Sequence, residues 1–254
     1  MSIALFCFLL FFLYGICIGS FLNVVIYRLP LKLPIAHGAR SMCPKCRHTL
    51  HAADLVPVFS YLFLRGKCRY CGEPISLRYP LVELLTGCLF GLAAAVYDIT
   101  PYAVLLCLFF SALIIAWFTD LDHTWIPDCV HLIIILTAVL SLFTGPHVSV
   151  SDRLLGAAVP GAIMLLLTFL TNGGIGMGDI KLMASSGLLL GWRLSVPAFF
   201  LAYVIAALYS LPSLLNKKIK HGSEIPMAPF FAVSLIFFSL FGRWAIAFYF
   251  SLFA

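Results

Sequence analysis

The sequence predicts an all-α polytopic membrane protein of about eight transmembrane helices, with one small cytoplasmic loop domain stapled by zinc. Three observations lead there. Of 254 residues, 63% are apolar and only 10% charged, where a soluble domain has about half and about a quarter. The apolar residues gather in eight runs. One basic stretch of about 55 residues holds four cysteines in two CxxC pairs.

The runs lie at 3–26, 82–98, 102–119, 129–145, 154–171, 180–191, 195–215 and 228–252, and most are long enough to cross a hydrocarbon core as a helix. The sixth is short and entered through glycines. It reads as a broken or partly inserted helix, which leaves seven or nine crossings open beside eight. The first run has no preceding Lys or Arg and no convincing cleavage site, so it is expected to be retained.

The connecting segments then alternate. Residues 27–81, 120–128, 172–179 and 216–227 share one side; 99–101, 146–153 and 192–194 share the other. Nine of the sixteen Lys and Arg fall between Arg28 and Arg78, and Lys217, Lys218 and Lys220 add three more. Positive charge marks the cytoplasmic loops, so both termini are expected outside, with Arg153 and Arg193 as exceptions. The same clustering accounts for the net charge of +6 without a nucleic-acid partner; membrane lipid is the expected surrounding. The chain divides by this pattern into a first transmembrane helix (1–27), a cytoplasmic four-cysteine domain (28–81) and a transmembrane domain (82–254).

The nine cysteines are of two kinds. Cys7, Cys17, Cys88, Cys107 and Cys129 lie in or at apolar runs and are expected as small buried hydrophobes. Cys43-Pro-Lys-Cys46 and Cys68-Arg-Tyr-Cys71 instead form two knuckles with 21 residues between them, the spacing of a tetrahedral zinc–thiolate cage. Gly72 suits the knuckle turn. His48 and His51 lie close enough in sequence to compete as ligands, but four Cys fill the coordination. No position then remains for a catalytic water, so the metal holds the loop together. A loop of this size is too small for a self-sufficient core.

Ten acidic residues serve the whole chain, and an ionisable group near membrane depth is expensive enough to signal function. Two places stand out. In Asp120-Leu-Asp122-His-Thr-Trp-Ile-Pro127-Asp128, Asp120 ends an apolar run. Asp122 points to nearly the opposite side if the helix continues, and Asp128 has the position of a helix N-cap. In Asn172-Gly-Gly-Ile-Gly176-Met-Gly178-Asp179-Ile-Lys181, four glycines permit tight turns and close approach before a carboxylate at a helix mouth. Asp120 and Asp179 both fall at cytoplasmic helix ends and can meet. Such a pair cannot readily ionise twice: one member takes a proton from an attacking water while the other polarises a peptide carbonyl. Lys181 either biases that titration or snorkels to the headgroups.

Nucleophilic alternatives find less support. Ser185-Ser186-Gly187 has no histidine nearby in sequence, and His123 and His131 lack the spacing of a zinc protease. His37, His48, His51, His147 and His221 read as surface loop residues.

These residues resemble the type IV prepilin peptidases with an appended N-methyltransferase activity. Gly19-Ser-Phe-Leu-Asn23-Val-Val-Ile-Tyr-Arg28-Leu-Pro30 resembles the family's N-terminal motif, and Cys43 to Glu83 its two-knuckle domain. The Asp120–Asp128 and Gly176–Lys181 segments resemble its two protease motifs, and Ile225-Pro226-Met-Ala-Pro229-Phe230 its last-helix entry. The resemblance implies that Asp120 and Asp179 are the catalytic pair, with Gly176, Gly178, Asp122 and Lys181 in support. It implies prepilin or pseudopilin substrates, cut after a Gly at the end of a basic leader. It further implies methylation of the new N-terminus from S-adenosylmethionine, with Gly66 and Lys67 as candidates for that step. A GxGD protease without methyl transfer, a transporter with a zinc-stapled loop and a non-catalytic assembly subunit are the alternatives.

Overall fold

Every apolar run is helical, since a backbone without water to bond must satisfy its N–H and C=O groups internally. The computed structural model describes residues 3–35, 40–144, 148–171, 173–215 and 225–252. His37, His147, His221, Lys217, Lys218, Lys220 and Asn172 lie outside them. The helices are α1 (Ile3–Arg28), α2 (Phe59–Phe63), α3 (Arg78–Tyr97), α4 (Pro101–His123), α5 (Asp128–Thr144), α6 (Val150–Leu170), α7 (Met177–Leu190), α8 (Trp192–Leu215) and α9 (Ala228–Ser251). The described residues contain no strand, only single bridges at Met42–Thr49 and Lys67–Pro74.

Six of these helices, α1, α3, α4, α6, α8 and α9, are long and apolar enough to cross a membrane. The fourth run becomes α5, with 17 residues, and the sixth becomes α7, with 14. At 1.5 Å per residue α7 reaches about 21 Å against a hydrocarbon core of about 30 Å, which matches a partly inserted segment. Helix starts precede the apolar runs where polar residues cap them. Ser149, for example, accepts the Asp152 N–H at 3.1 Å and starts α6 before its run begins.

The chain forms two compact units, residues 1–115 and 116–254, with the division inside α4. In the first unit α1 packs on α3, with its closest approach set by glycines: a Cβ added at Gly15 would lie 2.7 Å from Gly87 Cα. Asn23, buried in that seam, donates to the Tyr79 carbonyl at 3.1 Å. Glu83, also buried, accepts the Val58 N–H at 2.7 Å and so ties the hydrophilic loop to α3. Val58 sits at φ +62, a conformation costly for a β-branched residue, which that bond helps to hold.

In the second unit α7 packs on α5, α6 and α8, and α8 on α9. Glycines again set the closest approach, for a Cβ at Gly187 would overlap the Gly156 carbonyl of α6. Arg153, an exception to the loop-charge pattern, is buried. Its guanidinium donates to Ser141 Oγ at 2.8 Å and to the Leu188 carbonyl at 3.0 Å, joining α5, α6 and α7. Of the five cysteines expected to be buried, Cys7 and Cys107 are, while Cys17, Cys88 and Cys129 face outward. An apolar run in lipid has no solvent side, so apolarity alone does not choose a face.

Candidate active site and metal centre

Four segments of the second unit build the carboxylate site. Asp120, in the last turn of α4, is only 6% exposed, whereas Asp122 points outward, as a continued helix requires. Beyond α4 the chain turns through Thr124 at φ +48 and brings Ile126 against α7. A Cβ at Gly178 would lie 3.3 Å from Ile126 Cβ, and one at Gly176 would crowd Asp179 Oδ2 at 3.3 Å. Gly173 takes φ +94, open to glycine at no steric cost. The glycines thus serve a sharp turn and a close approach that set Asp179 in the first turn of α7.

Asp120 and Asp179 line one cavity of about 280 Å³ with Thr124, Trp125, Ile126 and Met177. The third part of the site comes from the start of α9, where the Ala228 N–H donates to Asp120 Oδ2 at 2.9 Å. Asp179 Oδ1 is buried and has no hydrogen-bond partner among the described residues, an acceptor available to a ligand. Lys181 Nζ donates to Asp128 Oδ1 at 2.8 Å. Asp128 stands in the first turn of α5 with its carboxylate committed to that ion pair, at the rim of the same cavity. The amide of Ala228 is the contributor that sequence reasoning missed. Its signal is the pair Pro226 and Pro229, which fixes where α9 begins and hence where its unsatisfied N–H groups point.

The metal centre belongs to the first unit. The sulfurs of Cys43, Cys46, Cys68 and Cys71 lie within 4.8 Å of one another, and Cys43 Sγ is 3.9 Å from Cys71 Sγ. A tetrahedral zinc with Zn–S near 2.3 Å needs sulfurs about 3.8 Å apart, so the donor set fits. The two knuckles repeat one geometry. Cys43 N–H donates to His48 O and Arg47 N–H to Cys43 O; Cys68 N–H donates to Glu73 O and Gly72 N–H to Cys68 O. Arg47 and Gly72 hold equivalent positions at φ +57 and +72. The Cys46 N–H points at the Cys43 sulfur and, against the effect of burial, pulls that thiol down to about 7, which favours the ligating thiolate.

Among the described residues the cluster contains neither histidine. His48 packs against Tyr70, with centroids 3.7 Å apart, and the His51 N–H donates to Asp54 Oδ2 at 3.1 Å. Asp54 also accepts from Arg69 Nε at 2.7 Å and Tyr70 Oη at 2.9 Å, fastening the second knuckle to the turn at Ala52–Asp54. Gly66, at φ +68 against Tyr61, makes the turn into that knuckle, and Lys67 begins it.

Known proteins share both halves. The family model of the Bacterial Peptidase A24 N-terminal domain matches residues 13–97, and that of the Type IV leader peptidase family matches 107–211. The prepilin leader peptidase/N-methyltransferase of Bacillus subtilis (strain 168) is 37% identical over 94% of this chain and 96% of its own length. This chain belongs to the type IV leader peptidase family. Proteins of the same description from Aeromonas hydrophila and Neisseria gonorrhoeae are 34% and 35% identical, covering 89% and 87% of the chain and 88% and 85% of their own. No solved structure matches. The leader peptidase match contains Asp120 and Asp179 and ends before Ala228, and the N-terminal match contains all four cysteines.

Proposed function

We propose that this leader peptidase is an aspartyl endopeptidase of the bacterial inner membrane that removes the leader of type IV prepilins or pseudopilins, serving a pilus or type II secretion system. It cuts after a Gly at the cytoplasmic face and then methylates the new N-terminal residue from S-adenosylmethionine. The observation that carries the proposal is the meeting of Asp120 and Asp179, 59 positions apart in the sequence, in one cavity of a family named for this cleavage.

The chemistry follows from the pair. Two carboxylates sharing one cavity hold one proton between them. The charged member takes a proton from water as its oxygen bonds to the peptide carbonyl carbon. The protonated member donates to the carbonyl oxygen. Collapse of the tetrahedral intermediate then breaks the C–N bond, and the leaving amine receives a proton from the pair. The Ala228 N–H fixes the direction of Asp120, and the Gly176–Gly178 turn fixes Asp179. The basic loops favour a substrate that presents Lys and Arg on the cytoplasmic side of an apolar helix.

Zinc held by Cys43, Cys46, Cys68 and Cys71 stabilises the hydrophilic loop. Gly66 and Lys67, at the turn into the second knuckle, are placed in the methyl-transfer half. S-adenosylmethionine, when bound, supplies the methyl group.

The test is co-expression with a prepilin. Asp120→Asn and Asp179→Asn each leave a full-length precursor while the enzyme accumulates normally; mature pilin from either variant would defeat the assignment. Labelled methyl on the mature N-terminus, from labelled S-adenosylmethionine, checks the second activity.

A further inference from the structure

A second cavity, of about 360 Å³, runs along α5, α6 and α7. It shares Asp128 and Lys181 with the carboxylate cavity, so the two adjoin at that ion pair. Its walls are two helical stripes. On α5 they are Asp128, His131, Leu132 and Ile135; on α7 they are Lys181, Ala184, Ser185 and Leu188. Both follow the i, i+3, i+4, i+7 spacing of a single helix face. Seven residues at 1.5 Å each give a groove about 10 Å long, room for about two turns of helix. Ala157 and Ala184 leave its floor without bulk.

One feature of this groove does not suit hydrocarbon alone. His131 is 6% exposed, lines the groove, and among the described residues has no hydrogen-bond partner at Nδ1 or Nε2. A buried polar group left unsatisfied costs free energy, and a neutral imidazole offers both a donor and an acceptor. A lipid chain has nothing to give it. A peptide segment that is apolar apart from one hydroxyl, amide or carboxyl side chain fills the groove and answers His131 together.

From the adjoining of the two cavities at Asp128 and Lys181 and the unpartnered imidazole, we infer that this groove docks the apolar segment of the substrate next to the scissile bond, with His131 bonding a polar side chain within it. The inference rests on the proposed peptidase reading and adds where the apolar part of the substrate lies. Leu132 and Ile135 then contact substrate, and Lys181–Asp128 marks the passage to the carboxylates.

The experiment has two arms. In the first, p-benzoylphenylalanine replaces Leu132 in an Asp120→Asn background and is irradiated with a full-length prepilin in membranes. The expected product is a crosslink to the apolar segment of the precursor, absent when the probe replaces Phe143 near the far end of α5. Crosslinks to lipid only, to the basic leader only, or to nothing would overturn the groove assignment. Cleavage of the precursor in this background would instead overturn the catalytic reading.

The second arm uses the otherwise unaltered enzyme, so it decides the groove in either case. His131→Leu raises KM for the precursor about fivefold, equivalent to ~1 kcal/mol, with most of the loss in KM rather than kcat. His131→Gln, which keeps a donor and an acceptor, recovers much of it. A loss carried by kcat, or no recovery with Gln, would overturn the role given to His131.

Discussion

Asp120 is fixed by main chain rather than by another side chain. Its Oδ2 accepts from the Ala228 N–H at 2.9 Å, a group with no partner inside its own helix because it opens α9. Exchanging that amide for an ester, by incorporating lactic acid at position 228, removes the donor and keeps the side chain. Loss of a hydrogen bond to a carboxylate is worth ~1.5 kcal/mol or somewhat more, so kcat for leader removal should fall at least about tenfold while the protein stays folded. An unchanged kcat would show that the contact does not orient the carboxylate. At this scale the sequence was legible where chemistry is scarce. Ten acidic residues among 254 made Asp120 and Asp179 conspicuous, and four paired thiols marked a candidate metal site whose sulfurs the structure gathers within 4.8 Å. A backbone amide has no letter of its own, so Ala228 was not legible. Nor was the ion pair of Lys181 with Asp128, since its partners lie 53 positions apart and each has a plausible local role.

The elements were legible by length and apolarity, down to the short α7, because lipid imposes helix on any run that enters it. Their facing was not. A run apolar on all sides carries no stripe to orient it, and in its place small residues and rare polar ones decide which faces touch. Gly156 and Gly187 set the approach of α6 to α7, and Arg153 bonds α5 and α7 from within α6. Charge counting alone had placed Arg153 in an outer loop. Gly187→Ala must push α6 from α7 and with it shift the helix that carries Asp179. Overpacking of this kind costs about 1–3 kcal/mol, so the variant should melt earlier in detergent and cleave more slowly. Gly161→Ala is the control: its Cβ would sit an ordinary 3.8 Å from Ala184 Cβ, and the gain in helix propensity of up to ~1 kcal/mol leaves it as stable as the parent or more so. Equal melting of the two variants would mean that the α6–α7 contact does not set stability.

Across the whole chain, two kinds of stabilisation are assigned to different stretches. The helices owe their form to lipid and to close packing, whereas among the described residues the stretch between α1 and α3 is organised by the five-residue α2, short turns, two single bridges, the Val58–Glu83 bond and the Asp54 contacts. A segment of that size lacks apolar area for a core of its own, and a metal tying Cys43–Cys46 to Cys68–Cys71 closes its two knuckles on each other. Metal loss should therefore unravel this segment and leave helix content nearly intact. The purified protein is expected to carry about one equivalent of zinc. Replacing Cys43 and Cys46 by Ser should release it, and so should acid, since protons compete with the metal for the thiolates. In either case proteolysis should begin to cut between residues 40 and 77, at sites protected in the zinc-loaded protein, while circular dichroism reports almost unchanged helicity. A metal-free preparation whose segment resists protease as well as the parent would remove zinc from the account and leave the Asp54 contacts as the organiser of the loop.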